Sequence, residues 1–138
     1  MKKAVIIICS ILFVCILSIV MFIKAYSLIE SPSRLGELYE LAQDEYNNNN
    51  LPNAIQYSEE ALALIEQMYG KDHPDYATTL DNIATCYSNL GDYNKAIEYY
   101  NELITIQKKT IGTEHQDYAT TTISIWFQQQ SKNRLGLF

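Results

Sequence analysis

"GKDHPDYATTLDNIATCYSNLGDYNKAIEYYNELITI", residues 70–106, contains two helix signatures separated by one turn. In its first half Tyr76, Leu80, Ile83, Ala84, Tyr87 and Leu90 recur at spacings of three and four, which places them on one face of a helix. Pro74 suits the first turn, where its missing N–H would have no partner anyway. Asp72 or His73 is positioned to cap, and Asp75 lies at the positive end of the helix dipole. Gly91 in "LGD" stops the helix, because glycine enters the left-handed region at little cost. A second face follows in Tyr93, Ala96, Ile97, Tyr100, Leu103 and Ile104. Lys108 and Lys109 mark its C-terminal end, and Gly112 follows.

The same pattern recurs 42 residues away. "YGKDHPDYATTL" (69–80) and "IGTEHQDYATTT" (111–122) agree at seven of twelve positions, too many for a shared turn alone. Upstream, Leu38, Ala42, Asn47, Ala54, Ile55, Tyr57 and Glu60 return as Leu80, Ala84, Asn89, Ala96, Ile97, Tyr99 and Glu102. Leu41, Leu62 and Leu64 become Ile83, Ile104 and Ile106, so apolar character is kept. A fixed period of this length signals a stacked array of one supersecondary unit. "NNNNLPN" (47–53) replaces the later "LGDYN" and reads as a polar turn. Ala42 with Ala54, and Ala84 with Ala96, leave room for the two helices of each pair to approach closely. Five segments result: 1–27, a linker over 28–34, a first unit over 35–71, a second over 72–113, and an incomplete third unit with a divergent tail over 114–138.

These residues resemble the tetratricopeptide repeat, specifically the 42-residue variety of kinesin light chains and many bacterial scaffolds. The resemblance covers about residues 35–125 and is densest over 70–106; in the first unit Glu45 stands where Tyr87 stands in the second. It implies an all-α helix-turn-helix solenoid of about two and a half repeats, whose first helices line a concave groove for an extended or helical peptide. Carried over by position, the groove candidates are Tyr39, Gln43, Tyr46 and Asn47 in the first unit. The second unit supplies Thr78, Asp81, Asn82, Thr85, Ser88 and Asn89. Tyrosine and amide side chains offer flat contact area and hydrogen bonds to a peptide main chain. The alternative is a plain polar helix face. The family's basic clamp for a C-terminal carboxylate is missing, because Tyr39, Gln43 and Asp81 stand where Lys, Arg and Asn would be needed.

"MKKAVIIICSILFVCILSIVMFIK" opens the chain with a charge-free, mostly apolar run from Ala4 to Ile23. At about 1.5 Å per residue such a helix spans roughly 30 Å, the thickness of a bilayer's hydrocarbon core. A transmembrane helix through residues 4–23 is therefore expected. The alternative is a secretory signal cleaved after Ala25 or Ser27, although signal apolar regions usually run about 7–15 residues. Lys2 and Lys3 favour a cytoplasmic N-terminus with the repeats on the opposite side, a single-pass arrangement; cleavage would instead give a secreted domain.

Beyond residue 24 the chain carries seven Lys and Arg against sixteen Asp and Glu, a surface that repels nucleic acid. Cys9 and Cys15 lie in the apolar run, and Cys86 stands alone, so no disulfide framework is expected. His73 and His115 occupy equivalent repeat positions; loop capping explains them better than metal ligation, since no His/Cys cluster accompanies them. Glu59–Glu60 and Asp44–Glu45 are adjacent in sequence and so diverge on a helix. No glycine-rich phosphate loop is present. The eleven tyrosines fall mostly on packing positions. No cofactor, metal or catalytic residue is expected.

In the third copy "TISIWFQQQSKNRLGLF" replaces "LDNIATCYSNLGDYNKA", with Trp126 at the Ala84 position and Gln116 for the helix-starting proline. Three readings stay open for this tail: a cap with Trp126 and Phe127 folded back on the second unit, a docking surface, or a truncation. The expected function is a non-enzymatic, membrane-anchored scaffold that binds a protein or peptide, with self-association through the C-terminal end. The alternative is a truncated or frame-shifted fragment of a larger repeat-containing sensor or scaffold; a metal-dependent hydrolase is a remote third.

Overall fold

The computed structural model describes the backbone of residues 2–136 and the side chains of residues 12–22 and 32–136. The described residues form five helices: α1 (Lys2–Asn47), α2 (Leu51–Tyr69), α3 (Pro74–Leu90), α4 (Tyr93–Thr110) and α5 (Gln116–Arg134). The chain divides into two compact units, Met1–Arg34 and Leu35–Phe138.

In the first unit, the large apolar side chains from Leu12 to Phe22 are 49–70% exposed. Among the described residues no helix is long and apolar enough to cross a membrane. The span expected over 4–23 extends into positions 4–11 and 23, which lie outside the described side chains. The segment read as a linker, 28–34, is helical: α1 runs through it with Pro32 inside.

Local chemistry sets the helix limits of the second unit. After α1 the asparagine run turns the chain, with Asn49 at φ 59° and the Asn50 N–H donating to the Glu45 carbonyl at 2.8 Å. Asparagine tolerates that left-handed conformation better than other residues with a Cβ. At the start of α3 the cap is His73: its Nδ1 accepts from the Asp75 N–H at 3.2 Å, and His115 does the same for Asp117 at 3.2 Å on α5. Asp92 caps α4 by accepting from the Lys95 N–H. Gly91 closes α3 at φ 80°, with its N–H and that of Asp92 returned to the last carbonyls.

Consecutive helices stack, α2 on α3, α3 on α4 and α4 on α5. Leu38, Ile65, Leu80 and Leu103 are essentially removed from water at the centre of one apolar cluster. A smaller cluster joins Leu51, Ala54 and Ile55 of α2 to Ile83 and Cys86 of α3. The four alanines sit where close approach demands them: Ala54, Ala84 and Ala96 are at most 1% exposed, and Ala42 9%. On α4 the buried stripe differs from the expected one. Ile106 and Gln107 are buried while Tyr93, Ile97 and Ile104 are half-exposed, because α5 docks on α4 and draws the covered face round toward the third repeat.

The tyrosines are more than filler. Tyr99 donates to Glu59 at 2.8 Å and Tyr87 donates to the same oxygen at 3.4 Å, with the two rings stacked 5.6 Å apart. Burial, then the Glu59 carboxylate, pushes the Tyr99 hydroxyl well above its ordinary range. Tyr76 and Lys71 both donate to Glu102, tying the α2–α3 junction to α4. On α5, Thr121 and Gln128 are buried and Ile125 packs on the core, but Trp126 and Phe127 are 62% and 59% exposed. The fold-back expected of a cap is not made: Trp126 occupies the register of Ala84, the face on which a second helix packs in the preceding unit.

Candidate functional site

The first helices of successive units form the walls of two clefts, and the second helices form their floors. The cleft of ≈300 Å³ lies between Tyr39, Gln43 and Tyr46 of α1 and Asn82 and Thr85 of α3, over Ala54 and Ser58 of α2. The cleft of ≈470 Å³ lies between Thr78 and Asp81 of α3 and Asp117, Thr120 and Thr121 of α5, over Leu103, Ile106 and Gln107 of α4. Asp81 and Asn82 are neighbours on α3, so the two clefts share that helix as their common wall.

Seven of the ten expected groove residues therefore line a cleft, and the other three do something else. Asn47 accepts from the Gln43 amide at 3.0 Å on its own helix. Asn89 donates to the Tyr46 hydroxyl at 3.1 Å, and Ser88 accepts from Gln128 at 2.8 Å. Asn89 and Ser88 are struts between successive first helices. Tyr39 combines both roles. Thr79 gives its proton to the Asp75 carbonyl, so the Tyr39 hydroxyl donates to Thr79 at 2.9 Å while its ring borders the smaller cleft.

Sequence reasoning missed Asp117, Thr120, Thr121 and Gln107. The signal was available for Thr120, the 42-residue equivalent of the expected groove residue Thr78; Asp117 and Thr121 correspond to Asp75 and Thr79, which line neither cleft. Gln107 comes from a second helix and carries no such mark.

Electrostatically the larger cleft is acidic. Asp81 is exposed on α3, yet the protein crowding its carboxyl, then the nearby Asp117 charge, raises it above the usual carboxylate range. At its rim Lys109 pairs with Asp72. Cys86, at the edge of the smaller cleft, is buried, and burial pushes its thiol up, away from the nucleophilic thiolate. Both histidines direct Nδ1 at a backbone N–H, as capping requires. Among the described residues no group of three or more His, Cys, Asp or Glu could hold a metal ion.

The tetratricopeptide repeat family profile matches residues 34–109, more than half of the chain. No curated protein matches. Among solved structures, one described as nearly identical TPR-like repeats of a putative kinesin light chain from Podosopora anserina is 25% identical. That alignment covers 87% of this chain and 57% of that chain, with a TM-score of 0.66. A point-substituted form of the same repeats, 24% identical with the same coverage and TM-score, shares the fold. The chain thus spans 57% of the length of those solved chains.

Proposed function

We propose, from the premise that this chain belongs to the tetratricopeptide repeat family, that it is a scaffold whose first-helix groove holds a segment of a partner protein. One observation carries this reading: two adjoining clefts share α3 as a wall and are lined by hydroxyl, amide and carboxylate groups over an apolar floor. Openings of this size admit side chains, and the polar walls suit a peptide main chain. A photo-crosslinking residue placed at Asn82 in the groove tests it, against the same residue at Glu98 outside it. Discrete adducts from Asn82 alone are the expected result; equal labelling from both positions removes the groove.

The scaffold is further proposed to be tethered by residues 4–23, with its N-terminus in the cytoplasm and its repeats across the membrane. Support comes from the charge-free sequence of that run and from the outward-facing apolar side chains over 12–22. Retention in membranes after alkaline extraction, with the repeats digested by protease added outside sealed cells, is the expected result. A mature N-terminus at Tyr26 or Leu28 would show signal cleavage instead.

A second association surface is favoured by one specific observation. Ile123, Trp126 and Phe127 are 59–65% exposed on α5, and burying each of them on another copy would gain roughly 1.5–3 kcal/mol.

A further inference from the structure

Beside its apolar side chains, the larger cleft is lined by three carboxylates and by four Thr hydroxyls whose protons are already given to backbone carbonyls. No Lys or Arg lines it; its ionisable lining is Asp72, His73, Asp81 and Asp117. The His73 Nδ1 lone pair already accepts from the Asp75 N–H. Lys109, at the rim, answers Asp72, whereas Asp81 makes no ion pair among the described residues and Asp117 meets only the His115 ring, at 3.5 Å. A second, independent feature lies in the floor. Gln107 is 8% exposed, and its Oε1 has no hydrogen-bond partner. A buried amide oxygen without a donor is costly, and folded chains rarely tolerate one unless something else supplies the donor.

Acceptors on the wall, an orphaned acceptor in the floor and the apolar surfaces of Leu103 and Ile106 between them match one kind of group: a cationic donor head on an aliphatic stem. Resting on the groove reading above, we propose that this cleft is a subsite for a lysine or arginine side chain carried by the partner segment. The head lies between Asp81 and Asp117, the stem lies along Leu103 and Ile106, and the Gln107 amide, whose Oε1 is closed to solvent in this structure, turns to accept one N–H. The occupant is thus a basic stretch of a partner protein. The raised protonation range of Asp81 agrees: desolvation is its main cause, the Asp117 charge adds to it, and a cation between the two carboxylates offsets both.

The test is fluorescence polarisation with the full chain in uncharged detergent micelles and three labelled nonapeptides, (Arg-Ala-Ser)3, (Gln-Ala-Ser)3 and (Glu-Ala-Ser)3, each corrected for binding to empty micelles. The arginine peptide is expected to bind most tightly, with an affinity that falls as salt rises. Asp81→Asn with Asp117→Asn should weaken it about tenfold. Glu40→Gln with Glu98→Gln removes as much charge elsewhere and should leave it unchanged. Gln107→Leu should also weaken binding without lowering the melting temperature, which separates a ligand contact from a structural one. Equal loss in the Glu40/Glu98 variant, or no binding of the arginine peptide, overturns the inference. Equal or tighter binding of the glutamine or glutamate peptide, lost in Asn82→Ala, overturns the basic subsite while leaving the groove itself standing.

Discussion

Two histidines at the same repeat position do the same work. His73 and His115 are separated by the period of the array, and each presents Nδ1 to a backbone N–H two residues on. Replacing His73 by alanine should cost about 0.5–2 kcal/mol, the usual value of an N-cap, and asparagine should restore most of it; chemical denaturation of the three proteins measures both. Asp81 has the opposite energetic sign. Its carboxyl is raised by burial and by Asp117, and Asp72 and His73 are the other titratable groups of that cleft. Because the folded value lies above the unfolded one, the folded chain holds more protons between the two. Stability therefore falls as pH rises through that window, and the penalty persists above it. Asp81→Asn should accordingly raise the melting temperature at pH 7, and the difference should vanish once pH drops below the ordinary carboxylate value of 3.8. An unchanged melting temperature at pH 7 would show that Asp81 is fully solvated.

At the level of the helix pair, size exclusion governs. Ala84 and Ala96 are completely buried, and each faces a crossing that a larger side chain cannot enter. Ala84→Trp is expected to abolish the cooperative thermal transition, since overpacking far smaller than this already costs about 1–3 kcal/mol; circular dichroism melts decide it. A gentler probe is the Glu59 pair. Tyr99→Phe and Glu59→Gln should each lower stability, and their double-mutant cycle should show coupling of about 0.5–1.5 kcal/mol. This is also the scale at which the sequence was most informative. Alanine spacing, Pro74, Gly91 and the 42-residue period mark the helix pairs of the first two repeats, because each acts through local sterics or backbone chemistry, whereas the extent of α5 was left open. What stayed hidden was tertiary in origin. That Ile106 and Gln107 rather than Ile104 would be covered depends on where α5 docks, and no property of α4 alone records it. Ser88 and Asn89 looked like free groove residues for the same reason: their partners, Gln128 and Tyr46, are 40 and 43 residues away.

At the scale of the whole molecule, the association surface proposed on α5 is the feature to test. Trp126 and Phe127 lie on α5 without cover from the described residues, and the full chain in micelles is expected to form dimers that Trp126→Ser with Phe127→Ser returns to monomer. Sedimentation velocity over a tenfold concentration range checks this, and a monomer at every concentration rules it out. The way the repeats are fastened to each other has one more effect. On the outer side, helices meet through close-packed alanine and leucine, which do not slide. Along the inner side the ties are single polar contacts, Tyr39 with Thr79, Tyr46 with Asn89 and Ser88 with Gln128. The Tyr46–Asn89 contact is exposed and can exchange for water at little expense, whereas Thr79 and Gln128 are buried and hold their partners. The groove proposed above is thus fastened by one exchangeable tie, between α1 and α3, and by two sealed ones, so any give in its wall belongs to the α1 side.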